Sequence, residues 1–294
     1  MIHGWIILDK PVGLGSTTAV SAVKRILRQA GEPKTKVGHG GTLDPLASGV
    51  LPIAIGEATK LAGRMLDATK AYDFTIRFGV ETDTLDAEGE CIATSAVTPT
   101  ADEVSAVLPH FTGKIEQVPP AYSALKIGGK AAYARARAGE DVELNSRAVT
   151  IFDLRLIEAT CDGATLAATV SKGTYIRSLA RDIARALGTV GHVTYLRRIK
   201  AGPFTLDQAI SLDSLADAAK ERRLEDICLP LRAGLDDIPA LLLTPDQAGL
   251  LRQGRVLVGI AVHDGLHFAL LGDIPVALVE AEAGEVRVVR GFNL

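Results

Sequence analysis

The chain opens with a short apolar run and then changes to helical spacing. Ile6-Ile7-Leu8 is typical of a buried strand, and the residues from Pro11 to Gly13 break regular structure. A helix follows, for which Ser16 or Thr17 is the expected N-cap. Its apolar positions recur three and four residues apart, at Val20, Val23, Ile26, Leu27 and Ala30. The pattern predicts a strand, a turn and a helix that ends near Gly31.

A long stretch without periodicity comes next. Glycines and turn formers dominate from Val37 to Leu51, and residues 51–56 then predict a strand at the edge of a sheet. Irregular segments of this length inside a compact domain are more often functional than simple connections. Apolar residues then alternate with polar ones from Tyr72 to Phe78, which predicts a half-buried strand.

The middle of the chain contains two further signals. The acidic turn from Thr82 to Gly89 lacks the ligand spacing of a calcium loop, so no metal is expected there. Thr100 and Glu103 have the spacing of a capping box and predict the start of a helix. Residues 119–147 break the pattern with paired prolines, paired glycines and basic side chains, and we interpret them as an insertion that contacts a partner.

The second half predicts strands at 148–157 and 164–171, then a helix after Tyr175. Arg177, Arg181 and Arg185 recur four residues apart on this helix and predict one stripe of positive charge. A further strand runs through residues 193–199, and the last 55 or so residues have the turn spacing of a small β barrel. We expect domains at residues 1–240 and 241–294.

Composition limits the class of protein. The 294 residues are 47% hydrophobic and 23% charged, as in soluble globular proteins. No apolar run is long enough for a membrane span and the start lacks a secretory signal, so we expect a cytoplasmic protein with no membrane contact. The three cysteines form no Cys-x-x-Cys pair, which argues against a zinc site and against a disulfide framework.

Charge is unevenly distributed along the chain. The net charge is −3, but residues 1–64 and 101–200 each carry +4, whereas residues 65–100 carry −5 and residues 201–294 carry −6. Two basic blocks could fold into one positive face of the kind that a polyanion requires. On charge alone, ordinary solvent-exposed surface charge is the favoured interpretation of the two basic blocks.

The most distinctive candidate for chemistry is Asp44, in the glycine-rich stretch from Gly38 to Gly49. Pro45 biases Asp44 towards an extended conformation, and the glycines allow another backbone or a ligand to approach closely. The stretch lacks the third glycine of a dinucleotide turn and the Gly-Lys-Ser/Thr of a phosphate loop. From the residues alone, an aspartate that only forms a turn before proline is the favoured interpretation.

Five segments together resemble the TruB family of bacterial tRNA pseudouridine-55 synthases. Residues 37–53, Val-Gly-His-Gly-Gly-Thr-Leu-Asp-Pro-Leu-Ala-Ser-Gly-Val-Leu-Pro-Ile, resemble its catalytic segment. The other four are Leu8-Asp9-Lys10-Pro11-Val12-Gly13, Lys70-Ala71-Tyr72, Pro119-Pro120-Ala121-Tyr122-Ser123-Ala124-Leu125-Lys126 and Gly173-Thr174-Tyr175-Ile176-Arg177. The resemblance covers roughly residues 4–235 and is loose beyond them, where the family carries a small PUA-like domain.

The resemblance implies a role for individual residues. Asp44 matches the catalytic aspartate, Arg177 the arginine that pairs with it, and Tyr72 the tyrosine that stacks on the target base. Substrate-binding positions are implied for the pocket-lining pair Tyr175 and Leu196, for a histidine that enters the RNA loop, and for lysines of two motifs: His39, Lys10 and Lys126. Further phosphate contacts are expected from Lys24, Arg25, Arg28, Lys130, Arg135 and Arg137.

The resemblance also implies the fold and the reaction. We expect an α+β protein with the pseudouridine synthase fold, in which helices flank a mixed, mainly antiparallel sheet, followed by a small β-rich C-terminal domain. The expected activity is isomerisation of uridine in the TΨC loop of tRNA, after base flipping, without a cofactor or a metal, by a monomer. One alternative is a tRNA-binding or RNA-folding protein that needs no catalysis. Another is a hydrolase that uses Asp44, although no paired carboxylate is recognisable.

Overall fold

A computed structural model describes residues 2–123, 125–127, 130–132, 135, 138, 140 and 144–294, and at residues 126, 127, 130 and 131 it describes the backbone only. The fold is mixed α and β, with one large sheet and one smaller C-terminal sheet. The fold class expected from the sequence is therefore confirmed, including the β-rich C-terminal unit.

The large sheet has ten strands and is mixed but mainly antiparallel, because only the pairing of β12 with β3 is parallel. Its main path runs β14-β1-β3-β12-β4-β11-β10-β7, and β2 and β13 pair with β3 and β12. The strands are β1 (Gly4–Lys10), β2 (Val37–His39), β3 (Ser48–Ile55), β4 (Lys70–Phe78), β7 (Gly113–Gln117), β10 (Arg147–Ala159), β11 (Gly163–Val170), β12 (Gly191–Ala201), β13 (Phe204–Thr205) and β14 (Leu229–Pro230).

Two small two-stranded pairs accompany this sheet, and helices flank it. The pairs are β5 (Val80–Thr82) with β6 (Cys91–Thr94) and β8 (Lys126–Ile127) with β9 (Lys130–Ala131). The α-helices before residue 240 are α1 (Ser16–Gln29), α2 (Ala62–Asp67), α3 (Ala101–Val107), α4 (Ile176–Ala186), α5 (Leu212–Lys220) and α6 (Leu224–Ile227). Among the helices that the structure describes, none is long and apolar enough to cross a membrane.

The C-terminal sheet has the order β15-β17-β18-β19-β16 and packs with one helix, α7 (Pro245–Arg252). Its strands are β15 (Ala240–Leu242), β16 (Leu257–Val258), β17 (Gly265–Leu271), β18 (Ile274–Glu282) and β19 (Glu285–Gly291). An apolar cluster joins the two sheets, with Trp5 and Phe204 of the large sheet and Phe268 of the small one among its members. The predicted division after residue 240 falls inside β15, and the domain boundary stays a prediction.

Several predicted elements are present, and two details were wrong. The Thr100 capping box begins α3 as expected. The N-cap of α1 is Gly15, because Ser16 is already helical and its hydroxyl bonds to the backbone of Leu43. Residues 48–55 do not form an edge strand: β3 lies between β1 and β12 and is buried along its whole length. Pro52 has no N–H to donate, but its carbonyl accepts a hydrogen bond from the amide of Gly40.

Candidate active site

The Asp44 loop joins two paired strands at the centre of the large sheet. β2 and β3 are antiparallel neighbours, and the chain between them carries Asp44 and Pro45. Gly49, just after the loop, has a φ of +100°, and a Cβ there would lie 2.2 Å from the carbonyl oxygen of Arg198. Only glycine permits β3 and β12 to approach this closely. The loop is therefore held close to β12.

Three side chains from other elements hold the loop backbone. The Ser16 hydroxyl bonds both the amide and the carbonyl of Leu43, at 2.8 and 2.9 Å. The Lys10 ammonium donates to the carbonyl of Pro45 at 3.3 Å and to those of Pro11 and Leu14. The Arg198 guanidinium donates to the carbonyls of Val50, Gly41 and Thr42. Lys10 and Arg198 are both buried, and the hydrogen bonds described for them all go to backbone carbonyls.

Arg177 pairs with Asp44 and also contacts Asp86 and the carbonyl of Thr84. Its Nη2 lies 2.9 Å from Oδ2 of Asp44, while its Nη1 lies 3.5 Å from Oδ2 of Asp86 and donates to the carbonyl of Thr84 at 2.7 Å. Arg177 is 5% exposed and Asp86 is 3% exposed, whereas the Asp44 side chain keeps 36% of its surface open. The guanidinium therefore bridges the partly exposed carboxylate of Asp44 and the buried carboxylate of Asp86.

One residue of the acidic turn, Asp86, supports the site. Asp86 accepts hydrogen bonds from the hydroxyl of Thr84 at 2.6 Å and from the amide of Glu88 at 3.0 Å, and it faces Arg177. Within the described part of the chain, no group of three or more His, Cys, Asp or Glu side chains could hold a metal ion.

A cleft of about 300 Å³ lies against Asp44 and Arg177. This volume is at the lower end of the range for small-molecule sites. The residues that line it come from the Asp44 loop, α2, β4, β11, α4 and its preceding turn, β12 and the start of the insertion. They are Gly41, Thr42, Leu43, Asp44, Ala47, Leu66, Lys70, Tyr72, Ser123, Val170, Ser171, Gly173, Thr174, Tyr175, Ile176, Arg177, Leu196 and Arg198. The cleft is thus a mixed apolar and charged pocket with one partly exposed carboxylate.

Tyr175 is held in this cleft by residues at the two ends of the insertion. The Gln117 amide donates to the carbonyl of Tyr175 at 3.1 Å and accepts from its backbone N–H at 2.8 Å. The Arg147 guanidinium lies over the Tyr175 ring, 4.8 Å from its centroid, and donates to the carbonyl of Gly173. Gln117 and Arg147 face each other in the pairing of β7 with β10, so the insertion leaves and returns beside Tyr175.

Two lysines near the cleft have lowered pKa values. Burial lowers the pKa of Lys10 to about 8, against the charge of Asp44, which raises it. Burial also lowers the pKa of Lys70 to about 8, and the charge of Arg198 adds to the effect. The pKa of His39 is lowered by burial and by Arg198 as well. The charge of Arg198 thus contributes to the lowered pKa of all three groups.

The structure brings five of the eight predicted site residues together around the cleft: Asp44, Tyr72, Arg177, Tyr175 and Leu196. His39 ends β2, a few residues before Asp44, and its Nδ1 accepts from the amide of Gly41. Lys10, predicted to bind substrate, instead donates to three backbone carbonyls and so positions the loop. The backbone of Lys126 lies in β8, and its side chain is outside the described residues.

The predicted stripe of positive charge on α4 was wrong, because each arginine has a partner within the protein. Arg177 pairs with Asp44, Arg181 with Asp182 at 2.8 Å, and Arg185 with Glu81 at 2.8 Å. Spacing of four residues placed the arginines on one side of the helix, but that side packs against the acidic turn and the insertion. Only Arg185 is exposed by more than half of its side chain.

Sequence reasoning missed four residues that shape the site: Arg198, Asp86, Gln117 and Lys70. Lys70 lies within the Lys-Ala-Tyr segment that was singled out for Tyr72. Gln117 immediately precedes the predicted insertion, and Asp86 belongs to the acidic turn. In the sequence, neither the acidic turn nor the helix with three arginines has an evident partner. Their opposite charges could have indicated that they pair with each other.

Family models match most of the chain. Residues 24–176 match the TruB family pseudouridylate synthase (N terminal domain), and residues 177–236 match the tRNA pseudouridylate synthase B C-terminal domain. The protein named tRNA pseudouridine synthase B of Novosphingobium aromaticivorans is 64% identical over 299 residues, which cover 100% of this chain and 98% of that protein. Its namesake in Zymomonas mobilis subsp. mobilis is 61% identical, over 99% of this chain and 96% of the relative.

Solved structures agree with this relationship. One similar chain belongs to an H/ACA RNP bound to a substrate RNA containing 2'-deoxyuridine, with a TM-score of 0.76 and 26% identity over 99% of this chain and 86% of that one. Another belongs to a Cbf5-Nop10-Gar1 complex, with a TM-score of 0.76 and 28% identity over 99% of this chain and 84% of that one. The protein therefore belongs to the TruB family of pseudouridine synthases.

Proposed function

We propose that this protein isomerises uridine to pseudouridine in the TΨC loop of tRNA, at position 55, with Asp44 as the catalytic carboxylate. The observation that carries the proposal is the partly exposed carboxylate of Asp44, held 2.9 Å from the buried guanidinium of Arg177 at one cleft with Tyr72 and Tyr175. Membership of the TruB family adds the substrate class, because the most similar relatives are named for tRNA and for pseudouridine.

The chemistry fits a carboxylate without a metal. Isomerisation breaks the bond between the uracil nitrogen and the ribose, turns the base, and forms a bond from the uracil carbon to the same ribose carbon. Asp44 acts on the ribose by one of two first steps, attack at the anomeric carbon or removal of a ribose proton. In both cases the carboxylate must be fixed in direction, and the ion pair with Arg177 supports this requirement.

The cleft is suited to one nucleotide that has left its base stack. A base within a folded RNA loop is out of reach of a side chain on the protein, so the target nucleotide is turned outwards into the cleft. Tyr72 stacks on the uracil and assists removal of its proton, while Tyr175 and Leu196 complete the walls. His39, next to the Asp44 loop, enters the RNA loop that the nucleotide has left.

Phosphates of the T-arm bind to basic residues around the site. Lys24, Arg25 and Arg28 are exposed on α1, and this helix packs against β2, which leads to His39. Arg135, at the insertion, is ion-paired with Glu140 at 2.6 Å. The side chains of Lys126 and Lys130 and the whole of Arg137 lie outside the described residues. The proposed enzyme acts as a cytoplasmic monomer, without a cofactor, on the T-arm of tRNA.

The test is to map pseudouridine, nucleotide by nucleotide, in an unmodified tRNA transcript after incubation with the purified protein. The matched control is the same transcript with cytidine in place of the T-loop target. We expect one new pseudouridine at position 55 of the first transcript and none in the control. Pseudouridine at another position would contradict the proposed substrate site. Tight binding of tRNA without any product would instead support a tRNA-binding or RNA-folding protein.

A further inference from the structure

Ser123 presents a buried hydroxyl at the catalytic cleft. The residue is 4% exposed and belongs to the lining of the cleft. Its Oγ has no hydrogen-bond partner among the residues that the structure describes. A buried hydroxyl without a partner destabilises the folded state by about 1–3 kcal/mol, and native proteins rarely retain one without a reason. A ligand in the cleft would supply the missing partner.

The backbone immediately before Ser123 is fixed by the catalytic machinery. The carbonyl of Tyr122 accepts a hydrogen bond from Nη2 of Arg177 at 3.0 Å, and this nitrogen also faces Asp44. The amide of Ser123 donates to the carbonyl of Ala121 at 3.0 Å, and Pro119 and Pro120 restrict the chain before it. Ser123 is therefore placed by the same guanidinium that orients the carboxylate.

The chemistry of the cleft determines what the hydroxyl meets. A serine hydroxyl can donate one hydrogen bond and accept others, so it suits the ribose hydroxyls and the carbonyl oxygens of uracil equally. We propose that Ser123 is a substrate-binding residue whose Oγ hydrogen-bonds the flipped-out uridine nucleotide in the cleft. The inference rests on the proposed function, since it takes the occupant of the cleft to be the target nucleotide.

Ser178 offers a matched control on the other side of Arg177 in the sequence. It is fully buried, and its Oγ also has no hydrogen-bond partner within the described part of the chain. It does not belong to the lining of the cleft. Replacement of either serine by alanine removes one orphaned hydroxyl from the protein, but only Ser123 is in position to meet a bound nucleotide.

The experiment compares kcat/KM for pseudouridine formation in tRNA between the wild type, Ser123→Ala and Ser178→Ala, together with the Tm of each. We expect Ser123→Ala to lower kcat/KM by roughly 3- to 10-fold, the effect of one lost neutral hydrogen bond, without lowering the Tm, because the removed hydroxyl has no partner in the free protein. Ser178→Ala should leave kcat/KM within about 2-fold of the wild type, because its hydroxyl contacts no ligand.

A second arm repeats the comparison of the wild type and Ser123→Ala on tRNA with 2'-deoxyuridine at the target position. An effect of the variant that disappears on this substrate assigns the contact to the ribose 2'-hydroxyl, and an effect that persists assigns it to another oxygen of the nucleotide. Wild-type kcat/KM in Ser123→Ala on ordinary tRNA would overturn the inference while the proposed function stands. Absence of product from the wild type would overturn the proposed function and this inference with it.

Discussion

The two sides of the catalytic cleft are built differently. On the loop side, the backbone that carries Asp44 is held by Lys10, Ser16 and Arg198. Lys10 and Arg198 come from β1 and β12, which each have a strand on both sides, and Ser16 comes from the flanking helix α1. On the insertion side, Tyr175 is held by Gln117 and Arg147 from β7 and β10, where β7 is the last strand of that sheet.

Under the proposed function, this difference separates the reacting carboxylate from the groups that surround the base. Buried donors from three elements fix the backbone that carries Asp44. An edge strand pairs on one side only and opens at a lower free energy than a central strand. Changes on the loop side should therefore reduce both folding and the chemical step, whereas changes on the insertion side should mainly alter how the nucleotide is held.

The strongest way to break the loop side is Arg198→Met. The variant leaves the carbonyls of Val50, Gly41 and Thr42 without their donor. We expect the free energy of unfolding to fall by about 3 kcal/mol or more, and kcat to fall by roughly 100-fold as the loop loses its position. Denaturant unfolding and single-turnover rates at saturating tRNA measure the two effects.

The neighbouring residue provides the control for Arg198. Arg197 is also an arginine of β12, but it is partly exposed and pairs with Asp9 at 2.8 Å. Arg197→Met should change the free energy of unfolding by no more than about 1 kcal/mol, because exposed ion pairs contribute little. Equal losses in the two variants would mean that the loop is not fixed by Arg198.

The insertion side is tested by Gln117→Leu, for which we expect a smaller effect. The variant removes the donor and the acceptor that bond the backbone of Tyr175. We expect the free energy of unfolding to fall by about 2 kcal/mol. We expect kcat/KM to fall by about 10-fold, mainly through KM, because the carboxylate keeps its own contacts. Exposed Glu116 on the same strand is the control, and Glu116→Gln should behave as the wild type. A loss confined to kcat would contradict the proposed separation of the two sides.

The smallest effect is a pH dependence that belongs to the loop side. The pKa of Lys10 is lowered to about 8, so the ammonium with three N–H donors becomes an amine with two as the pH rises through 8. Lys10 bonds three carbonyls, one of which is that of Pro45, and one of the three then loses its donor. We expect kcat at saturating tRNA to fall by about 2- to 5-fold between pH 7 and pH 9.

Lys70 distinguishes this cause from general alkaline effects. Its pKa is also lowered to about 8, but within the described structure it bonds two carbonyls, of Leu66 and Ala68, which a neutral amine still satisfies. The alkaline fall in kcat should persist in Lys70→Arg and disappear in Lys10→Arg, whose guanidinium stays charged. Retention of the fall in Lys10→Arg would show that another group titrates.

Local patterns were sufficient for much of the fold. Helical spacing predicted α1, alternation from Tyr72 to Phe78 predicted β4, and the Thr100 capping box predicted the start of α3. Each of these elements has a local signature in the sequence, although β4 forms its hydrogen bonds with the distant strands β11 and β12. Ser16 illustrates the limit, because its hydroxyl bonds Leu43 of a loop that local reasoning cannot place beside the helix.

The site was predicted in part, and the missing residues share a physical reason. The resemblance indicated Asp44, Tyr72 and Arg177, which do meet at one cleft. Arg198 was not found because a charged residue in a strand is normally expected to be exposed. One of its acceptors, Val50, also lies 148 residues away in the chain. Asp86 was missed because its partner Arg177 becomes a neighbour only in the folded protein.

The central claim is that Asp44 performs the chemistry, and Asp9 provides a close control. Both carboxylates are about one-third exposed, at 36% and 35%, and each pairs with an arginine, at 2.9 and 2.8 Å. Only Asp44 lines the cleft. The decisive measurement is the single-turnover rate of pseudouridine formation at saturating tRNA for Asp44→Asn beside Asp9→Asn. The account predicts no detectable product with Asp44→Asn, with tRNA still bound, and a near wild-type rate with Asp9→Asn. Product from Asp44→Asn at the rate of the wild type would contradict it.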